Sequence, residues 1–187
     1  DDCGLKTHHL KELFEKNAVS LGERCGHQTI TALKSKIEEM VSEEDDKFSY
    51  IWRSAVEDHN NYEIRHILIS ALSDVLLSYA SKHDASTDID FLTQSPNLII
   101  KRIVLFVLNL QFQKYNHKIE TVARPILREL CLNPNYRLEW NSLIREHFVE
   151  FSMEFQDEII SLLSSLQGDW QEGFDKDKLN KQIRSEW

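Results

Sequence analysis

The chain has 187 residues and a mass of 22.0 kDa, room for one compact domain and too little for two large ones. Five glycines and three prolines are too few for the many tight turns of an all-β fold, and 41% hydrophobic with 28% charged residues is the profile of a globular chain, not a disordered one. A formal charge of −9 disfavours nucleic-acid wrapping and polybasic membrane binding.

Leu5, His9, Leu13 and Phe14 fall at helical spacing and predict a first helix that ends near Gly22. Ile30, Leu33, Ile37, Met40 and Val41 put one apolar stripe on a second helix over residues 29–44. The acidic run 43–46 reads as a solvated connection, and Phe48, Ile51, Trp52, Ala55 and Val56 as a short third helix stopped by His59-Asn60-Asn61. From Ile64 to Tyr79 the 3-and-4 rhythm holds over four turns and predicts a helix ending near Lys82. Residues 83–94, with Asp84, Ser86, Thr87, Asp88 and Asp90, read as a loop. Ser95-Pro96 then offers an N-cap followed by proline at the first helical position.

Residues 98–110 are apolar on nearly every side, so this segment is predicted as the buried central helix, near residues 97–113 and closed by about Asn116. Pro125 removes one ladder hydrogen bond and should kink or split the helix of residues 118–132. Asn133-Pro134-Asn135 is a turn. Phe148, Phe151, Phe155, Ile159, Leu162, Leu163 and Leu166 continue one stripe, which fits one long helix or two stacked ones over residues 136–166. The expected fold is all-α, a single bundle of seven to nine helices over residues 1–166, followed by an amphipathic arm over residues 167–187.

Three cysteines, Cys3, Cys25 and Cys131, cannot all pair, which favours a reducing intracellular compartment, nuclear or cytoplasmic. A start at Asp1 instead of Met reads as a piece of a longer protein, and no signal segment opens the chain. Lys101 and Arg102 interrupt the longest apolar stretch, which falls short of the roughly 20 residues that cross a bilayer, so no membrane role is expected.

Catalytic signatures are missing: no glycine-rich phosphate loop, no G-x-S-x-G, no H-E-x-x-H and no C-x-x-C. The expectation is therefore a non-enzyme. Glu63 and His66 have the spacing of a carboxylate–histidine pair in di-iron bundles, which require a second such pair from another helix. Cys3, His8, His9, Cys25 and His27 place five zinc-type donors near the start of the chain, and zinc takes four in a tetrahedron. Cys3, His8, Cys25 and His27 are the candidate set, complete in this chain or completed by a partner with zinc at the interface. Buried thiols and surface histidines are the plainer reading of the same residues.

Charge divides along the chain: −8 over residues 1–94, +4 over 95–135 and −5 over 136–187. Lys101, Arg102, Arg124 and Arg128 in the basic stretch are candidates to meet an acidic protein segment or, as an alternative, nucleic acid. In the arm, Trp170, Phe174, Leu179, Ile183 and Trp187 recur about every four residues, suited either to docking back on the bundle or to binding a partner as a helix in a groove. Gly168-Asp169-Trp170-Gln171-Glu172-Gly173-Phe174 resembles the tryptophan-and-glycine segment near the end of Bcl-2-like domains, which wrap amphipathic helices around an apolar one. The likeness spans seven residues, and that family's Asn-Trp-Gly-Arg motif is absent. The function expected is a protein–protein adaptor that binds peptide or helical segments and bridges subunits of a larger complex, of the kind found in chromatin or telomere assemblies. Self-association is compatible with it.

Overall fold

In the computed structural model, residues 6–42, 56 and 63–166 are described. They form eight α-helices and no strand: α1 (Thr7–Ser42), α2 (Ile64–Lys82), α3 (Ser86–Thr93), α4 (Leu98–Leu110), α5 (Phe112–Ala123), α6 (Leu127–Leu132), α7 (Arg137–His147) and α8 (Met153–Leu166). Short 3-10 turns at Arg124–Ile126, Pro134–Tyr136 and Phe148–Glu150 join the later ones. The all-α bundle expected from the sequence is the observed architecture. None of these helices is long and apolar enough to cross a membrane. The predicted helix over 48–56 lies outside the described residues except for Val56, as does the whole arm over 167–187.

The break expected near Gly22 falls three residues later, as a kink inside the long α1. The helix runs on through both glycines and bends at Cys25, where φ is −135° and ψ 28°. The glycines serve contact, not chain reversal. A Cβ on Gly22 would stand 2.6 Å from the carbonyl oxygen of Val75, and one on Gly26 would stand 2.2 Å from the Tyr79 ring. Only bare backbone lets α1 lie this close to α2. Around them Phe14, Ala18, Leu21, Ile30, Leu33, Ile37 and Met40 contribute to the core.

Residues read as a loop hold α3. Ala85, Ile89 and Leu92 are fully buried, and Oδ1 of Asp84 accepts the Ser86 N–H at 3.0 Å. Ser86, Thr87 and Asp88 form the first turn, and Asp84 just before it meets one of the amides the helix leaves unpaired. The next cap also differs from expectation. Asn97, not Ser95, caps α4, its Oδ1 accepting the Ile99 N–H at 3.2 Å, while Ser95 Oγ accepts the Asn97 N–H.

Helix α4 is the central element, in contact with α2, α3, α5 and α7. Ile100, Ile103, Val104, Leu105, Val107 and Leu108 are buried on it. It stops at Gln111, five residues before Asn116, and α5 carries a second irregularity at Tyr115 (φ −120°, ψ 17°). That residue closes the end of α2. The Tyr115 hydroxyl lies 3.2 Å from the carbonyl of Ala80 and 3.0 Å from that of His83, and accepts the Ala85 N–H at 2.9 Å. Lys114 Nζ reaches the same two carbonyls, so a cation sits at the negative end of the α2 dipole.

Pro125 splits the segment after α5 as expected, with a 3-10 turn before α6. Asn133 turns the chain, its Oδ1 accepting the Asn135 N–H at 3.0 Å. Of the two arrangements open for residues 136–166, two helices form. They are spliced where Glu120 accepts both the N–H (2.7 Å) and the hydroxyl (2.8 Å) of Ser152. Trp140, Tyr136, Leu143 and Phe155 complete the core.

Candidate functional site

Among the described residues the expected metal donors do not converge. His8 and Cys25 belong to one helix, and 17 residues of it separate them by about 25 Å of rise. His8 and His9 are neighbours with ring centroids 3.8 Å apart. Cys25 is exposed at the bend and unpaired. Cys3 lies outside the described residues, among which no three His, Cys, Asp or Glu side chains form a group able to hold a metal. Glu63 precedes α2 and makes a local cluster, its Oε2 3.1 Å from Arg65 Nε and 3.9 Å from His66 Nε2.

His27 has a more specific setting. Its Nδ1 lies 2.7 Å from Oδ1 of Asp88, a carboxylate 4% exposed at the start of α3, whereas the imidazole is 61% exposed. A buried carboxylate behind Nδ1 fixes the ring and leaves Nε2 to the solvent, the arrangement in which histidines present a metal ligand or a proton acceptor. Asp88 was hidden in the sequence because its stretch has the composition of a loop.

The basic stretch is mostly consumed inside the bundle. Arg102 is a correction: it is not on a surface patch but buried, bonded to Glu139 at 2.8 and 2.9 Å. A helix covered on all sides has no solvent face for a guanidinium, so the charge is paired internally. Lys118 meets Asp90 at 2.6 Å. Arg124 pairs with Glu120 at 3.1 Å and with Glu158, and its guanidinium stands 5.2 Å from the Phe155 ring centroid. Lys101 is half-buried, and Arg128 is exposed.

Arg124 and Arg128 do meet at one feature, an open depression where Pro125 breaks the helix. Pro125, Ile126, Leu132 and Asn133 line it together with Arg124, Arg128 and Glu129. Pro125 cannot donate a ladder bond, so the chain steps outward through a 3-10 turn and leaves a dip before α6. Leu132 is 44% exposed there. Among the described residues Arg128 has no acidic partner, so its charge remains available.

A second apolar exposure lies at the corner between α7 and α8. Val149 and Met153 are 83% and 80% exposed, beside exposed Glu150 and Glu154. The sequence signalled neither surface, since both depend on where the chain turns. The arm residues Trp170, Phe174, Leu179, Ile183 and Trp187 lie outside the described residues. In comparison with known proteins, no family model matches the chain, and neither a curated protein nor a solved structure is significantly similar to it.

Proposed function

We propose that this chain is a non-enzymatic interaction module that binds peptide or helical segments of other proteins and bridges subunits of a larger assembly inside the cell. The observation that carries this reading is the depression at Arg124–Asn133, where Ile126 and the exposed Leu132 lie beside Arg128 and Glu129. A partner segment with a large apolar anchor next to a carboxylate fits that chemistry. The Val149–Met153 corner supports the bridging role, because it offers a second apolar surface with acidic neighbours. Free thiols at Cys25 and Cys131 suit a reducing compartment. Direct nucleic-acid binding is less well supported, since Arg102, Lys114, Lys118 and Arg124 are engaged within the bundle.

The experiment is purification of the full chain from its own cells, with identification of what accompanies it, beside the variant Arg128→Glu/Leu132→Glu. Loss of a stoichiometric partner in the folded variant supports the reading. Turnover of a small-molecule substrate by the chain, or a partner set unchanged in the variant, overturns it.

His27 favours a second reading: an interfacial zinc whose remaining ligands come from a partner. Asp88 would orient the imidazole through Nδ1 and leave Nε2 for the metal. Metal analysis of the co-purified complex tests it. Zinc present in the complex and lost with His27→Ala supports the reading, and a metal-free complex overturns it.

A further inference from the structure

The depression lies beside the end of the described chain. Glu120 in α5 bonds Ser152 just before α8, and Arg124, one turn further along, pairs with Glu158 inside α8. Helix α8 therefore advances in the same direction as the chain from α5 into α6, and α6 and α8 are in contact. Leu166 follows Glu158 by about 12 Å of helix rise, which brings the end of α8 level with α6.

The chemistry of the next nine residues complements that surface. Residues 167–175 contain Asp169, Glu172 and Asp175 and no basic residue, and Trp170 and Phe174 stand four apart. The four residues from Leu166 to Trp170 span up to about 14 Å when extended, enough to cross to a site on the adjacent helix. The surface offers Ile126 and Leu132 to an aromatic ring and Arg128 to a carboxylate, with Glu129 the one acidic residue that lines it.

We propose that the occupant of the depression in the free chain is its own segment 167–175, with Trp170 and Phe174 against Ile126 and Leu132 and the acidic side chains beside Arg128. This rests on the reading of the depression as the partner site, and it adds the regulation of that site: a partner binds by displacing the segment. A short tether gives an effective concentration on the order of millimolar. A segment that binds with a dissociation constant of about 0.1 mM would then weaken a competing partner about tenfold.

The probe is a synthetic peptide of residues 167–175, titrated into the full chain and into the full-length variant Trp170→Ala/Phe174→Ala. The expected result is binding at least about tenfold tighter to the variant, abolished when Arg128→Glu and Leu132→Glu are added to it. Equal affinity for both chains, still lost with those two substitutions, overturns the self-docking and leaves the depression standing as a binding site. Absence of binding to either chain, or binding indifferent to Arg128 and Leu132, also overturns the self-docking. The interaction-module reading fails separately, through a partner set that does not respond to the Arg128→Glu/Leu132→Glu variant. A photo-crosslinker placed at Phe174 in the full chain gives an independent readout. Intramolecular products within residues 124–133 are expected, and products elsewhere overturn the assignment.

Discussion

Arg102 and Glu139 face each other across the α4–α7 contact in a two-point bond, Nε to Oε2 at 2.8 Å and Nη2 to Oε1 at 2.9 Å, with both side chains 2% exposed. Oε1 also accepts the N–H of Val56 at 3.2 Å, so one buried carboxylate ties the central helix, α7 and the segment before α2 together. The most apolar of the described helices thus carries a buried full charge, paired with a carboxylate on α7.

Removing one partner strands the other charge out of water. Glu139→Leu and Arg102→Leu are each expected to cost about 3–5 kcal/mol in denaturant unfolding, while the double variant Arg102→Leu/Glu139→Leu costs less than the two singles together. Additive losses would show that the pair is not coupled.

Gly26→Ala places a methyl group where the Tyr79 ring already stands, with the nearest ring atom 2.2 Å away. An exposed helix would gain about 1 kcal/mol from that change, but here a loss of about 1–3 kcal/mol is expected. Adding Tyr79→Leu should recover part of it. Gly22→Ala has no such remedy, because its nearest neighbour is the backbone oxygen of Val75. Thermal melts of the three variants check the pattern.

Burial pushes the Glu120 carboxyl up, but the Ser152 amide, the Ser152 hydroxyl and the Arg124 guanidinium outweigh it and hold the group below the usual glutamate value. A carboxyl lowered by folding contributes stability that is fully present above its unfolded pKa, about 4.3, and is lost as pH falls through the lower folded value. Glu120→Gln should therefore destabilise the protein at pH 7, with the difference from wild type shrinking below about pH 4. A pH-independent difference would mean that the carboxylate charge is not the source.

The thiols should separate by reactivity. Cys25 is exposed, whereas burial raises the Cys131 pKa, an effect that the nearby Trp140 N–H only partly opposes. In a Cys3→Ser background, an aromatic disulfide reagent at pH 8 is expected to label Cys25 quickly and Cys131 slowly. Equal rates would contradict the burial of Cys131.

Helices with a sustained stripe were legible in the sequence: residues 64–82 match their predicted limits, and α4 is as central as its composition requires. Pro125 and Asn133-Pro134 mark their breaks because a missing N–H acts locally. What stayed hidden depends on neighbours distant in sequence. Gly22 read as a helix end because a glycine needed for close approach to α2 has the same local signature. Asp84 and Asp88 read as loop, although one accepts the Ser86 amide at the start of α3 and the other holds His27 from 61 residues away. Arg102 looked like a surface charge until Glu139, 37 residues on, supplied its partner. The depression follows from Pro125, but its pairing of Arg128 with Leu132 needed the path of α6.

The most direct measurement of the central claim is the dissociation constant of the partner segment identified by co-purification, taken by calorimetry against the wild-type chain and against Arg128→Glu/Leu132→Glu. Both substituted residues are exposed, so the melting temperature should be nearly unchanged. A loss of affinity of about 30-fold or more is predicted, the scale of one interface anchor worth about 2 kcal/mol. An unchanged constant at matched stability would contradict the claim that the Arg124–Asn133 depression is where this chain meets its partner.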